Sequence, residues 1–365
     1  MQSPIVSFPH MGESWIIMKA FFETLGLKVL VPPYNNEKTM KEGVINSPEC
    51  VCIPYKITLG SMIEALKMGA NCLFMIGGQR TGLCRLPQYV VNQEKTLREM
   101  GFEFEIYKVG DPLMIQRLLT KDLKELSGNP KDYYKKLIKA LRIVWIKTEL
   151  VDLTNQLSRF YRVYETNKGK TNKVREEMLK MVDDSKEIKE LKKARKTIDE
   201  SFKDIDIDKK REVVRILIGG EFYSVLDSFI NCDIERRLAE LNVLVENPTS
   251  FSYLIKAKMG LGIRKKLVRL GLKYVPVTSG GEDLPTIGRI EYFRKKGIDG
   301  YIILFPMGCL PETAIIPILD HLGKKFDLPI IHFSIDENLS ETYLQTRLEA
   351  FINTIKRRKW KKNII

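Results

Sequence analysis

No Cys-x-x-Cys pair occurs in this chain, although it carries six cysteines. Zinc ribbons and ferredoxin-type cluster runs are built on such pairs, so both are disfavoured. No G-x-x-x-x-G-K-[ST] sequence occurs either, which removes the common phosphate-binding loop of nucleotide hydrolases. No apolar run approaches the roughly 20 residues that span a bilayer. Residues 1–4 lack a basic n-region and residues 5–8 are too short for an apolar h-region, so no signal peptide is expected. These absences predict a soluble, cytoplasmic protein with no membrane partner. In a reducing compartment the six cysteines are core thiols, catalytic thiols or metal ligands rather than a disulfide framework.

What is present supports real cores. The chain has 365 residues, 44% of them hydrophobic, which is enough for two or three domains. Its formal net charge is +14. That excess suits an anionic partner or a solvated surface, and the charge is spread along the chain rather than focused. The most charged stretch, "KVREEMLKMVDDSKEIKELKKARK", alternates in sign and has few interleaved aromatics. It predicts a solvated helical hairpin or bundle and no nucleic-acid partner.

Periodicity gives the organisation. Short apolar runs at 5–8, 28–31, 72–76 and 102–109 alternate with helical patterns at 14–25, 55–68 and 88–100. A second alternation places strands at 214–218, 243–246, 300–305 and 329–333. Its helices fall at 234–241, 256–270, 312–326 and 341–356. Strands alternating with helices and closed by short turns imply parallel sheets covered on both faces. The expected fold is therefore α/β: two flavodoxin-like parallel-sheet domains facing a cleft, with a helical insert between them. The expected boundaries are 1–110, a helical charged insert at 111–210, and 211–365 ending in a basic helix. The two α/β halves look like cousins, each with a strand, a Cys-x-Pro and a helix.

That repeated motif is Cys52-Ile53-Pro54 and Cys309-Leu310-Pro311. Proline is favoured at the first helical position, so each motif sets a sulfur just ahead of a helix N-terminus. Free N–H groups and the positive dipole end favour an anionic thiolate or sulfide there. A third cysteine, Cys84, follows the loop Gly77-Gly78-Gln79-Arg80-Thr81-Gly82. On spacing alone, three buried apolar cysteines in turns account for the pattern more simply. Ligands of open α/β sheets bind at the carboxyl ends of strands. All three cysteines are expected at such ends, converging in the cleft.

The motifs resemble the 2-hydroxyacyl-CoA dehydratase superfamily, which includes benzoyl-CoA reductase subunits and double-cubane cluster proteins. The nearest likeness is to the stand-alone acyl-CoA dehydratase activase-related group. It is carried by His10-Met11-Gly12, "SPECVCIPYKITLG", "GGQRTGLCRLPQY", "GGEFY", "FPMGCLPE" and "IDENLSETYLQTRLEAFI". It covers both α/β segments and is weakest in the insert.

The resemblance implies a [4Fe-4S] cluster on Cys52, Cys84 and Cys309, with one iron left open. It also implies a separate ATP-hydrolysing activator protein, in keeping with the missing phosphate loop. Other implied partners are a small-molecule substrate, acyl-CoA among them, and a second subunit in a homo- or heterodimer. Nothing in this sequence proves a CoA site. Double-cubane proteins need six thiolates in two sets, and Cys50, Cys72 and Cys232 lack a matching motif.

Three functions stay open at this point. The chain is a reductase or activating protein fed by low-potential electrons. Alternatively it is a lyase subunit dehydrating a 2-hydroxyacyl-CoA through a ketyl radical. The third is a non-catalytic, cluster-bearing electron relay.

Candidate catalytic groups lie close to the cysteines in sequence. Lys56 and Arg85 offer positive charge to a reduced cluster or an anionic substrate, or are ordinary surface cations. Glu49, Glu221 and Glu312 are candidate acids or bases, although a first-turn carboxylate such as Glu312 is also favoured by the helix dipole alone. His10 follows the first strand and is a cleft candidate. His321 and His332 read as structural, Cys72 reads as core, and Gly280-Gly281 reads as a turn.

Overall fold

Apolar runs closed by glycine or proline become the strands of two parallel sheets. The computed structural model describes residues 3–77 and 84–364. Its backbone divides into two compact units, Met1–Glu149 with Val182–Lys192, and Leu150–Met181 with Lys193–Ile365. The boundaries fall inside the helices Tyr133–Tyr164, Lys170–Asp184 and Ile188–Lys203, so the helical stretch is shared between the units.

The first unit holds β1 (Ile5–Ser7), β2 (Lys28–Val29), β3 (Cys72–Ile76) and β4 (Glu105–Val109), in the order β2-β1-β3-β4. Val6 pairs with both Val29 and Cys72, and Cys72 pairs with Glu105, all in parallel. The second unit holds β5 (Val214–Gly220), β6 (Val243–Glu246), β7 (Gly300–Pro306) and β8 (Ile330–Ile335), in the order β6-β5-β7-β8. Leu217 pairs with Glu246 and Tyr301, again in parallel. Both are the flavodoxin-like order, whose switch point lies between the first and third strands of each sheet.

Strand periodicity divides each core. Cys72 and Phe74 face a cluster with Val6, Phe22 and Tyr133, while Leu73 faces Leu59, Ile63 and Leu97 on the other side. In the second unit Leu217, Tyr301 and Ile303 pack with Ile287 and Leu319.

One device recurs in both units. The helices Glu37–Ile45 and Ile53–Lys67 cross where Gly43 meets the Lys56 carbonyl and Gly60 meets the Thr39 carbonyl. A Cβ on either glycine would lie 1.8 or 1.9 Å from a backbone oxygen. The helices Arg264–Gly271 and Asp283–Arg294 cross in the same way, with Gly271 on the Leu284 carbonyl and Gly288 on that of Leu267. The sequence separation of the two glycines is identical in the two pairs. Each glycine touches the carbonyl four residues before its partner.

Several sequence expectations shift. No strand precedes Cys52, because residues 46–52 form turns after the helix Glu37–Ile45. The expected helix at 256–270 is two, Phe251–Lys258 and Arg264–Gly271. Gly260 and Gly262 take φ of 69° and 78°, and the Gly260 and Leu261 amides cap the first helix on Ala257 and Lys256. The expected helix at 312–326 is Leu310–Ala314 and Ile316–Lys325, since Pro317 has no N–H to continue the ladder. Gly280 and Gly281 do form a turn, both at positive φ. Among the described residues no helix is long and apolar enough to cross a membrane.

Candidate functional site

In the first unit the two segments bearing Cys52 and Cys84 are tied together. Cys52 is the N-cap of the helix Ile53–Lys67, and Pro54 takes the second helical position rather than the first. The second amide of a helix also lacks an internal acceptor, so proline costs nothing there. Cys84, half-buried, stands two residues before the helix Leu86–Glu99, again with proline, Pro87, in second place. Two bonds join these helix starts. Arg85 Nη1 donates to the Cys50 carbonyl at 3.2 Å, and the Tyr89 hydroxyl meets Cys52 Sγ at 2.5 Å. Burial, with the Cys52 sulfur beside it, pushes the Tyr89 hydroxyl far up, so Tyr89 stays protonated and is the donor to any thiolate at Cys52. Tyr89 also packs edge-on against Tyr55.

Behind Cys52 the same helix buries Lys56, only 5% exposed, so it is no ordinary surface cation. Ser61, further along, accepts from the backbone N–H of His10, which follows β1. His10 is buried against Tyr34, and burial lowers its imidazole to about 4 despite the Glu13 charge. It is a neutral imidazole at physiological pH. Glu49 and Cys50 lie exposed on the turn before Cys52. Cys72 is core, its thiol pushed up to about 12 by burial and then by Glu105. Residues Gln79, Arg80 and Thr81 lie outside the described residues.

In the second unit Cys309 follows β7 and is the N-cap of the helix Leu310–Ala314, with Pro311 again in second place. Its thiol is half-buried against the core. Three positions on, Glu312 is 1% exposed. It belongs to a buried polar cluster at the carboxyl ends of β5 and β7. Arg289, fully buried, donates through Nη2 to Thr249 Oγ1 at 3.1 Å and Glu282 Oε2 at 3.2 Å. Glu282 also accepts from the Tyr253 hydroxyl at 2.7 Å and Arg264 Nε at 2.8 Å. Glu221 caps the helix Phe222–Leu226, accepting from the amides of Tyr223 and Ser224. Among the described residues Glu312 accepts only from Thr286 Oγ1, at 3.3 Å. Burial raises Glu312 to about 8, helped by Glu282 and Glu221 and opposed by Arg289. Burial likewise raises Glu221.

Of the other cysteines, Cys232 is half-buried at positive φ, its thiol raised by burial and by Glu341. His332 Nε2 pairs with Asp320 at 2.7 Å, while His321 is exposed. Among the described residues, no group of three or more His, Cys, Asp or Glu stands together as a metal site.

Sequence reasoning missed Tyr89, Glu282, Arg289 and Tyr253. Tyr89 was findable, since it follows Arg85 by one helical turn and so shares its face. Arg289 carried only a weak signal, a lone cation inside an apolar stretch.

Residues 9–75 match a family model described as a CoA enzyme activase uncharacterised domain (DUF2229). The match points to the activase-related family and selects no subgroup within it. It takes in His10, Glu49, Cys52 and Lys56, and ends before Cys84 and Cys309. A search of curated proteins finds no match.

Proposed function

We propose that this chain holds a [4Fe-4S] cluster through Cys52, Cys84 and Cys309, and takes low-potential electrons from an ATP-hydrolysing activator to reduce or activate a small substrate. The observation that carries this reading is the pair of ties, Arg85 to the Cys50 carbonyl and Tyr89 to Cys52, that draw two cysteine-bearing helix starts together. The donor set suits the group: half-buried thiols, two of them at helix N-caps, with a hydroxyl donor and a cation at hand. When bound, such a cluster supplies one-electron chemistry and, with three thiolates for four irons, one iron open to a further ligand. Tyr89 is placed to donate to the Cys52 sulfur when that sulfur is a thiolate. Arg85 adds positive charge beside Cys84. Lys56 holds a buried cation one turn beyond Cys52, and Glu312 holds a carboxyl one turn beyond Cys309.

The match over residues 9–75 favours a second reading. In it the chain is a non-catalytic relay in the activation of an acyl-CoA enzyme. Anaerobic assays with an ATP-hydrolysing activator and an acyl-CoA substrate separate the readings. A reductase consumes ATP with every electron delivered. A dehydrating lyase recycles its electron, so product greatly exceeds ATP consumed. A relay gives no product until the acyl-CoA enzyme is added. Wild-type protein purified without oxygen should be brown and bleach in air; colourless protein after iron and sulfide loading contradicts all three.

A further inference from the structure

Three buried or half-buried carboxyl groups meet in the second unit, and the hydrogen-bond donors are shared unequally among them. Glu282 receives three donors, two of them guanidinium groups. Glu221 receives two amides and the Ser224 hydroxyl, all at 3.0 Å. Glu312 receives one long bond from Thr286, and its Oε2 has no hydrogen-bond partner among the described residues. The cations joined to the cluster are Arg264 and Arg289, two against three carboxyls. A buried ion without a matched partner costs far more than a neutral acid in the same place. One carboxyl must therefore carry a proton, and the one with the fewest donors is Glu312.

We infer that Glu312 is a proton-binding site, held as the neutral carboxylic acid at neutral pH inside the Glu282–Arg289–Glu221 cluster, in the first turn of the helix that Cys309 caps. The groups facing it are Glu282 at the N-cap of the helix Asp283–Arg294, Thr286 and Arg289 within that helix, Glu221 after β5, and Tyr301 on β7. Only Arg289 favours the ionised form among the charged ones, and Arg289 is already engaged by Glu282. The dipole of a five-residue helix adds little against full burial. The value of about 8 for Glu312 agrees with this assignment. Neutral Glu312 keeps the end of β7 free of an unpaired charge, and loss of its proton in mild alkali places one there.

The sign of the pH dependence follows. The folded state keeps the Glu312 proton up to about 8, while the unfolded chain loses it near 4.5. Wild type therefore loses stability relative to Glu312→Gln as pH rises from about 4.5 to about 8, and the gap is constant above that. Thermal unfolding of the full chain at pH 5, 6.5, 8 and 9 reads it. The Gln variant should gain on wild type by on the order of 5 °C or more between pH 5 and 8. Glu282→Gln, which weakens the acceptor shared by Tyr253, Arg264 and Arg289, should instead lose stability relative to wild type at pH 6.5. Infrared spectroscopy of the wild type gives a second reading that needs no stable variant. A protonated carboxyl C=O band should be present at pH 6.5, absent from Glu312→Gln, and fade on titration through pH 8. No such band, or a Gln variant that falls further behind wild type as pH rises, overturns the assignment.

Discussion

The two units share a frame and differ in what they bury at its switch point. Each sheet runs in the same strand order, and each has a helix pair crossed on two glycines just before its third strand. The residue after the second glycine shows the difference. In the first unit it is Ser61, which accepts from the His10 amide; in the second it is Arg289, a guanidinium sealed among carboxyls. The first unit keeps a base neutral, His10, and the second keeps an acid neutral, Glu312. One scaffold thus accommodates opposite chemistry by the same means, since burial always selects the uncharged form unless a partner matches it.

The comparison can be broken at several points. The largest effect is expected at Arg289. Arg289→Met leaves Glu282 short of a buried partner and should cost about 3–5 kcal/mol in urea unfolding. At the corresponding position, Ser61→Ala loses one acceptor for a buried amide and should cost about 1–3 kcal/mol. Equal costs would mean that the two positions do the same work.

Next come the crossings. Gly60→Ala and Gly288→Ala would each drive a Cβ to within 2.0 Å of a backbone carbonyl. Each should destabilise its unit by about 3 kcal/mol, with the two values close together. A variant tolerated in one unit alone would show that the shared geometry is not a shared constraint.

A smaller effect separates the units by pH. His10 is lowered from 6.5 to about 4 on folding. The unfolded chain binds that proton first as pH falls, so the first unit loses stability between about 6.5 and 4, by about 3 kcal/mol. Glu312 gives the second unit the opposite window, lost as pH rises. His10→Gln should flatten the acid limb of the unfolding profile and leave the alkaline limb alone. A variant that moves the alkaline limb instead would refute the division.

The sheets were legible where apolar runs were short and bounded. Residues 72–76 and 243–246 read directly as strands because turn residues close both ends. The helices Glu37–Ile45 and Asp283–Arg294 escaped notice. The second is buried on nearly every side, so it has no polar stripe to set a period, and its mid-helix guanidinium, Arg289, is fully buried. The helix breaks at Gly260 and Pro317 were written in the sequence but outweighed by the apolar spacing around them. At the site, the cysteines stood out through a repeated spacing, Cys-x-Pro, that helix-start chemistry explains. The partners of those cysteines and carboxyls did not, because Tyr89, Glu282 and Arg289 reach them only through tertiary packing.

The central claim is the proposed sulfur set, Cys52, Cys84 and Cys309. Iron analysis after anaerobic iron and sulfide loading tests it most directly, on wild type, on Cys52→Ser, Cys84→Ser and Cys309→Ser, and on Cys50→Ser as a control. The account predicts about four iron per chain in wild type and the control. It predicts a sharp loss in each of the other three. Full iron retention in all three, or no stoichiometric iron in wild type, would contradict it.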